Sequence, residues 1–165
     1  MADPGEDPFS RLLDDHKDFL EKLAELEATL DEMVRTRKAT EANRAVLDEA
    51  LRFLEEELLP HFRLEDEVVL PALESRVGRF GSLVNVVAYE HEEIRREVGK
   101  FREARADLTV ARDPGPAIEE LNRHGIFTIQ FLWDHFRKER TSLFPTAREQ
   151  LPPEDLSAIR RKLSR

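Results

Sequence analysis

Apolar residues recur along most of this chain at steps of three and four. Phe9, Leu12, Leu20, Leu23, Leu26, Leu30 and Met33 form the first such series, with His16 in step with it. That spacing returns to one face of a 3.6-residue turn and predicts an amphipathic helix. Asp7-Pro8 marks its start, an acceptor side chain ahead of a proline at the first helical position. Thr40, a preferred N-cap residue, precedes a second series: Leu47, Leu51, Leu54, Leu58, His61, Glu65, Val68 and Ala72. Pro60 lies inside it and is expected to kink the helix, because proline removes a ladder donor. Gly78, Gly81 and Ser82 mark the next break.

The third series is Val84, Val87, His91, Ile94, Val98, Phe101, Ala104 and Leu108. Asp113-Pro114-Gly115-Pro116 is the strongest turn signal in the chain, and Leu121, His124, Thr128, Phe131, His135, Glu139 and Ser142 follow as a fourth series. After Leu151-Pro152-Pro153 a short helix is expected from Glu154 to Leu163. Four long helices with short connections predict an all-α, antiparallel up-down-up-down four-helix bundle with a short C-terminal helix. The expected division is a flexible N-terminus over 1–7, the bundle over 8–148 and a tail with a short helix over 149–165.

Composition narrows the function. The chain has 165 residues, enough for one domain with a sizeable core. It has no cysteine, which excludes disulfides, thiolate metal sites and cysteine nucleophiles. The formal charge of −9 would repel a phosphate backbone, so no nucleic-acid partner is expected. The basic residues Arg160, Arg161, Lys162 and Arg165 read as a solvated helix end. Met1 to Ser10 is acidic without an apolar run, and no stretch is apolar enough to span a bilayer. A cytoplasmic protein without a membrane partner is the expectation.

Six polar residues interrupt the apolar series. His16, His61, His91, His135, Glu65 and Glu139 stand where leucine would be expected. A lone histidine on such a face is usually a satisfied core residue. An ionised glutamate is harder to bury without a partner. In an antiparallel bundle the starts of helices one and three meet the ends of two and four, and on that reckoning all six side chains fall in one slab of the core.

The chain also repeats itself. His61-Phe62-Arg63-Leu64-Glu65 matches His135-Phe136-Arg137-Lys138-Glu139, and Pro71 and Pro145 each follow ten residues after the histidine. His16 and His61 are 45 residues apart, His91 and His135 44. Each half thus brings one single-histidine helix and one His-x-x-x-Glu helix, the pattern of a pseudo-twofold site with one metal ion near each half's residues. Residues four apart share a helix face, so the motif aims an imidazole and a carboxylate at one point. Imidazole with carboxylate favours iron or manganese, and a glutamate can bridge two cations.

These residues resemble the hemerythrin family, specifically its HHE cation-binding group. The likeness runs from about Asp15 to Pro145. It rests on Asp15-His16-Lys17-Asp18-Phe19-Leu20, His61-Phe62-Arg63-Leu64-Glu65 with Leu70-Pro71, Glu90-His91-Glu92-Glu93-Ile94, and His135-Phe136-Arg137-Lys138-Glu139 with Leu143-Phe144-Pro145. The resemblance implies a non-haem di-iron centre: two Fe ions per chain with a bridging oxo or hydroxo group. His16, His61, His91 and His135 would be ligands and Glu65 and Glu139 bridging carboxylates. The implied partner is a small oxidant or gas, O2, peroxide or NO, with catalase-like peroxide consumption as one possible activity. An iron-responsive sensor or storage module and a reversible O2 carrier are the alternatives.

Two departures bear on the choice. Oxygen-carrying hemerythrins have five histidines, two of them four apart on the third helix; here Val87 and Arg95 flank His91 at that distance. The carriers place their last carboxylate five residues after the histidine, where this chain has Arg140. Both point away from reversible carriage and towards the HHE proteins of iron sensing or of peroxide and nitric oxide chemistry. His124 lies eleven residues from His135, about 16 Å along a helix, and reads as a hydrogen-bonded or surface residue. Glu57, four residues before His61, is an extra ligand candidate that reads more simply as part of the acidic Glu55-Glu56-Glu57 face. Tyr89 should point off the ligand face.

Overall fold

The computed structural model describes residues 7–78 and 83–164, so Gly81, Ser82 and residues 1–6 of the expected flexible terminus lie outside the described residues. Four long helices and a short one follow in order: α1 (Ser10–Thr36), α2 (41–77), α3 (Leu83–Val110), α4 (115–150) and α5 (Pro153–Leu163). α1 packs on α2 and α4, and α3 on α2 and α4, the arrangement of an up-down-up-down bundle. No helix of the described residues is long and apolar enough to cross a membrane.

The turns follow from local chemistry. Asp7 turns the chain into α1 by accepting the Phe9 N–H on its side chain and the Ser10 N–H on its carbonyl, each at 3.1 Å. The helix therefore starts at Ser10, two residues later than the Asp7-Pro8 pair predicts. Arg37, at φ 56°, ends α1 in the left-handed region. Thr40 then opens α2 with a reciprocal cap: its hydroxyl accepts the Asn43 N–H at 3.0 Å, and the Asn43 side chain accepts the Thr40 N–H at 3.1 Å.

α2 and α4 are not uniform α-helices. π-helical turns occupy Leu54–Leu58, Glu65–Val69 and Glu139–Leu143, and Pro60, Pro71 and Pro145 follow each of them by two residues. At each, the N–H of the residue before the proline bonds five residues back: Leu59 to Leu54, Leu70 to Glu65, Phe144 to Glu139. A proline has no N–H and its ring collides with the carbonyl four residues back. The wide turn takes the backbone out of that register, so helical hydrogen bonding continues past Pro60.

The π turns at Glu65 and Glu139 each insert a residue, and beyond them the apolar face slips by one. After Glu65 the buried residues are Val69 and Leu73, not Val68 and Ala72; after Glu139 it is Leu143, not Ser142. Leu51 is half-buried beside the buried Ala50, Phe53 and Leu54. Leu20 and Phe131 are likewise half-buried, while Phe19 and Leu132 take the core positions. His124 gives way to Gly125, where an added Cβ would stand 2.6 Å from Leu30 and 3.3 Å from Phe101, so a side chain there would displace these two where α4 meets α1 and α3. α3, which has no π turn, keeps the predicted face residue by residue.

Two apolar clusters divide the core. One joins Phe19–Met33 positions of α1 to Leu47–Phe62 of α2, Ile94–Leu108 of α3 and Ala117–Phe136 of α4. The other joins Phe9 and Leu12 to Val69, Leu73, Val84, Val87, Leu143 and Ala147, and α5 closes it with Ile159 and Leu163. On every long helix the candidate residues lie at the junction of the two.

Candidate metal centre

His16 comes from α1, His61 and Glu65 from α2, His91 from α3, and His135 and Glu139 from α4. All six meet. His16, His61, Glu65 and Glu139 offer ligand atoms within 4.8 Å of one another, and so do Glu65, His91, His135 and Glu139. The two groups pair the histidines by half, as the repeat predicts, and share both glutamates. Glu65 Oε1 lies 3.4 Å from Nε2 of His61 and 3.4 Å from Nε2 of His91. Glu139 Oε1 lies 3.7 Å from Nε2 of His16 and 2.8 Å from Nε2 of His135. Each carboxylate therefore stands between one imidazole of either half.

The rings are clamped in the same symmetric way. Phe136 stacks on His16 at 4.2 Å and Phe62 on His91 at 4.1 Å between centroids. Each phenylalanine follows the histidine of one half and stacks on the single histidine of the other.

Among the described residues, the buried side-chain N and O atoms without a hydrogen-bond partner are eight. They are Nε2 of the four histidines and both oxygens of the two glutamates. Even the 2.8 Å approach of His135 to Glu139 lacks hydrogen-bond geometry. Buried polar groups are almost always paired, and an orphaned one is strongly destabilising. Eight together, all aimed at two points, fit a pair of cations bridged by carboxylates. The family model of the hemerythrin HHE cation binding domain matches residues 7–147.

The chain belongs to the hemerythrin HHE family. No curated protein matches it.

Around this HHE cluster stands an outer ring of carboxylates to which the sequence motifs assign no role. Asp15 Oδ2 lies 3.0 Å from Nδ1 of His61, Asp66 Oδ1 2.7 Å from Nδ1 of His91, and Glu90 Oε1 2.9 Å from Nδ1 of His135. A carboxylate can only accept, so in the neutral imidazole Nδ1 carries the proton and Nε2 keeps its lone pair for a metal. Two of the three carboxylates are themselves held: Arg95 reaches Asp66 at 2.5 Å and Lys138 reaches Glu90 at 2.5 Å. The available signal was adjacency. Asp15 precedes His16, Glu90 precedes His91 and Asp66 follows Glu65, each about 100° around its helix and so facing a neighbouring one.

The electrostatics of the metal-free cluster are in conflict. Burial, and next the facing Glu65 carboxylate, push Glu139 up to about 7. Burial also disfavours charge on His135 and His61, yet their carboxylate neighbours outweigh it. Glu139 and Glu90 raise His135 to about 10, and Glu65 and Asp15 raise His61 to about 9. His91 is raised by Asp66 and Glu65 against the same burial. His16 goes the other way, lowered to about 3 by burial and by His61. Protons partly substitute here for the positive charge that two carboxylates in a core require.

The remaining candidates lie apart. Glu57 is bound to Lys22 at 2.8 Å and to Arg52 at 2.7 Å and belongs to neither group. His124 sits between Glu97, 2.7 Å from Nδ1, and Glu120, 3.2 Å from Nε2. Tyr89 is 62% exposed and points away from the core.

Proposed function

We propose that the chain binds two iron ions, one on His16 and His61 and one on His91 and His135, bridged by Glu65 and Glu139. The observation that carries this is the set of eight orphaned atoms in the middle of an apolar core. Iron suits a donor set of imidazole and carboxylate without sulfur. Such a pair supplies two-electron redox chemistry, and we assign the protein to reaction with, or sensing of, a small oxidant or gas: peroxide, O2 or NO, in the cytoplasm. The residues support reactivity over reversible carriage. No fifth imidazole stands four residues from His91, and Arg95 at that spacing is engaged with Asp66.

Iron analysis of protein grown in iron-supplemented medium, with its visible spectrum, tests the assignment. About two irons per chain are expected; a value near one, or zinc retained in preference, overturns it. A second reading, an iron-responsive module whose loading controls its fold, draws support from the same orphaned atoms, because they penalise the metal-free core. Peroxide turnover by the loaded protein favours the first reading, and iron-dependent folding without turnover the second.

A further inference from the structure

The pseudo-twofold repeat continues one residue beyond the motif and breaks there. Aligned on the histidines, Asp66 of His61-Phe62-Arg63-Leu64-Glu65-Asp66 corresponds to Arg140 of His135-Phe136-Arg137-Lys138-Glu139-Arg140. Asp66 accepts from His91. The corresponding acceptor for His16 would stand at position 140, where a guanidinium can only donate. Arg140 is exposed and lines a surface cleft of about 320 Å³ with His16, Lys17 and Phe136. Among the described residues no carboxylate reaches Nδ1 of His16.

A second break lies two residues earlier. Lys138 holds the Glu90 carboxylate that orients His135; its counterpart Leu64 offers Asp15 nothing. Accordingly Glu90 is 9% exposed and Asp15 31%. The stacking of Phe62 and Phe136 is alike in both halves, whereas the Nδ1 partners differ. His91 and His135 each have a carboxylate fixed by a cation. His61 has one that is not fixed, and His16 has none.

We propose that the two half-sites hold their ions unequally: His91 and His135 form the retentive site, His16 and His61 the exchangeable one, and Arg140 is the positioning residue that sets the difference. An outer carboxylate fixes the tautomer and ring orientation of a ligand imidazole and raises its basicity, and losing one commonly costs about 10–100-fold in metal affinity. The exchangeable site is also the one beside the cleft at His16. A chain carrying one ion, on His91 and His135, is then a populated state between empty and full. This inference rests on the two-iron reading.

The test is anaerobic release of ferrous iron from the loaded full-length chain to excess bipyridyl, followed by absorbance. Wild type should release in two phases of about one iron each, differing at least about tenfold in rate. Arg140→Asp should slow the fast phase about tenfold and leave the slow one unchanged. Arg137→Asp, the same charge change on the same turn, should leave both phases within about twofold, whereas equal slowing by both variants would reduce the effect to net charge and overturn the proposal. Asp66→Asn should accelerate only the slow phase, and it keeps the test decisive if Arg140→Asp fails to fold. Release of two irons in one phase overturns the inequality while leaving the two-iron reading intact; a chain that never loads two irons defeats both.

Discussion

Helices α1 and α2 bring His16, His61 and Glu65 to the middle of the bundle, and α3 and α4 bring His91, His135 and Glu139. The inner residues of the two halves correspond one for one, down to the phenylalanine that stacks on the opposite histidine. Of the outer residues Asp15 and Glu90 correspond, but Asp66 answers to Arg140, and Leu64 to Lys138. The inner positions face a buried core, where replacing one member strands its partners. The outer positions that differ are half-buried or exposed, and a change there alters how firmly a ring is held without opening a hole. The difference between the halves is therefore confined to residues that tune the site rather than build it.

What the halves share is tested by removing iron altogether, and this should give the largest effect. A ligand at about 1,000 times its Kd adds about 4 kcal/mol of stability. For a domain of this size each kcal/mol shifts the melting temperature by roughly 2–4 °C. Stripping both ions should lower it by about 15 °C or more, measured by circular dichroism with and without chelator. Equal melting of the two forms would mean that the orphaned atoms are compensated in some other way.

How the halves differ is sharpened by a pair of truncations. His135→Ala removes a fully buried imidazole from between Glu139 and Glu90, and taking one partner from a buried ionic cluster usually costs about 3–5 kcal/mol. Iron should fall to about one per chain or less, and the melting temperature by about 10 °C. The nearest carboxylate contact of His16 is Glu139, 3.7 Å from Nε2, and its side chain is 7% exposed. His16→Ala should keep about one iron and melt nearer to wild type. The reverse order, in iron content and melting together, would contradict the assignment of the firmer half to α3 and α4.

Legibility from sequence followed the same divide. α3 is a plain α-helix, and its face from Val84 to Leu108 could be read from spacing alone. α2 and α4 could be read only as far as the π turns at Glu65 and Glu139, because a period of 3.6 cannot anticipate an inserted residue; Val68, Ala72 and Ser142 are each one place off. The six inner residues were legible because polar groups on an apolar face are conspicuous. Asp15, Asp66 and Glu90 were not, because an acidic residue next to a ligand resembles any acidic residue on a solvated face. What distinguishes them is the neighbouring helix they meet, which spacing along one helix does not encode. The same limit hid Gly125, whose role depends on Leu30 and Phe101 of other helices.

The smallest effect is expected at the fifth histidine, which lies in neither half-site. His124 joins α4 to α3 through Glu97 and reaches Glu120 one turn back, and its side chain is 16% exposed. His124→Ala removes these contacts, but Glu97 keeps Lys100 at 3.6 Å and Glu120 is 43% exposed, so neither carboxylate is left buried and alone. A net hydrogen bond of this kind contributes about 1 kcal/mol, or roughly 2–4 °C in melting temperature. Iron content should not change, since eleven residues separate His124 from His135, about 16 Å along the helix. The variant thus calibrates what an ordinary helix-to-helix contact is worth in this bundle, against which the losses at His135 and His16 are measured. Iron loss from a folded His124→Ala chain would show that the α3–α4 contact at Glu97 transmits to the centre, and the contrast between the halves would then have to include it.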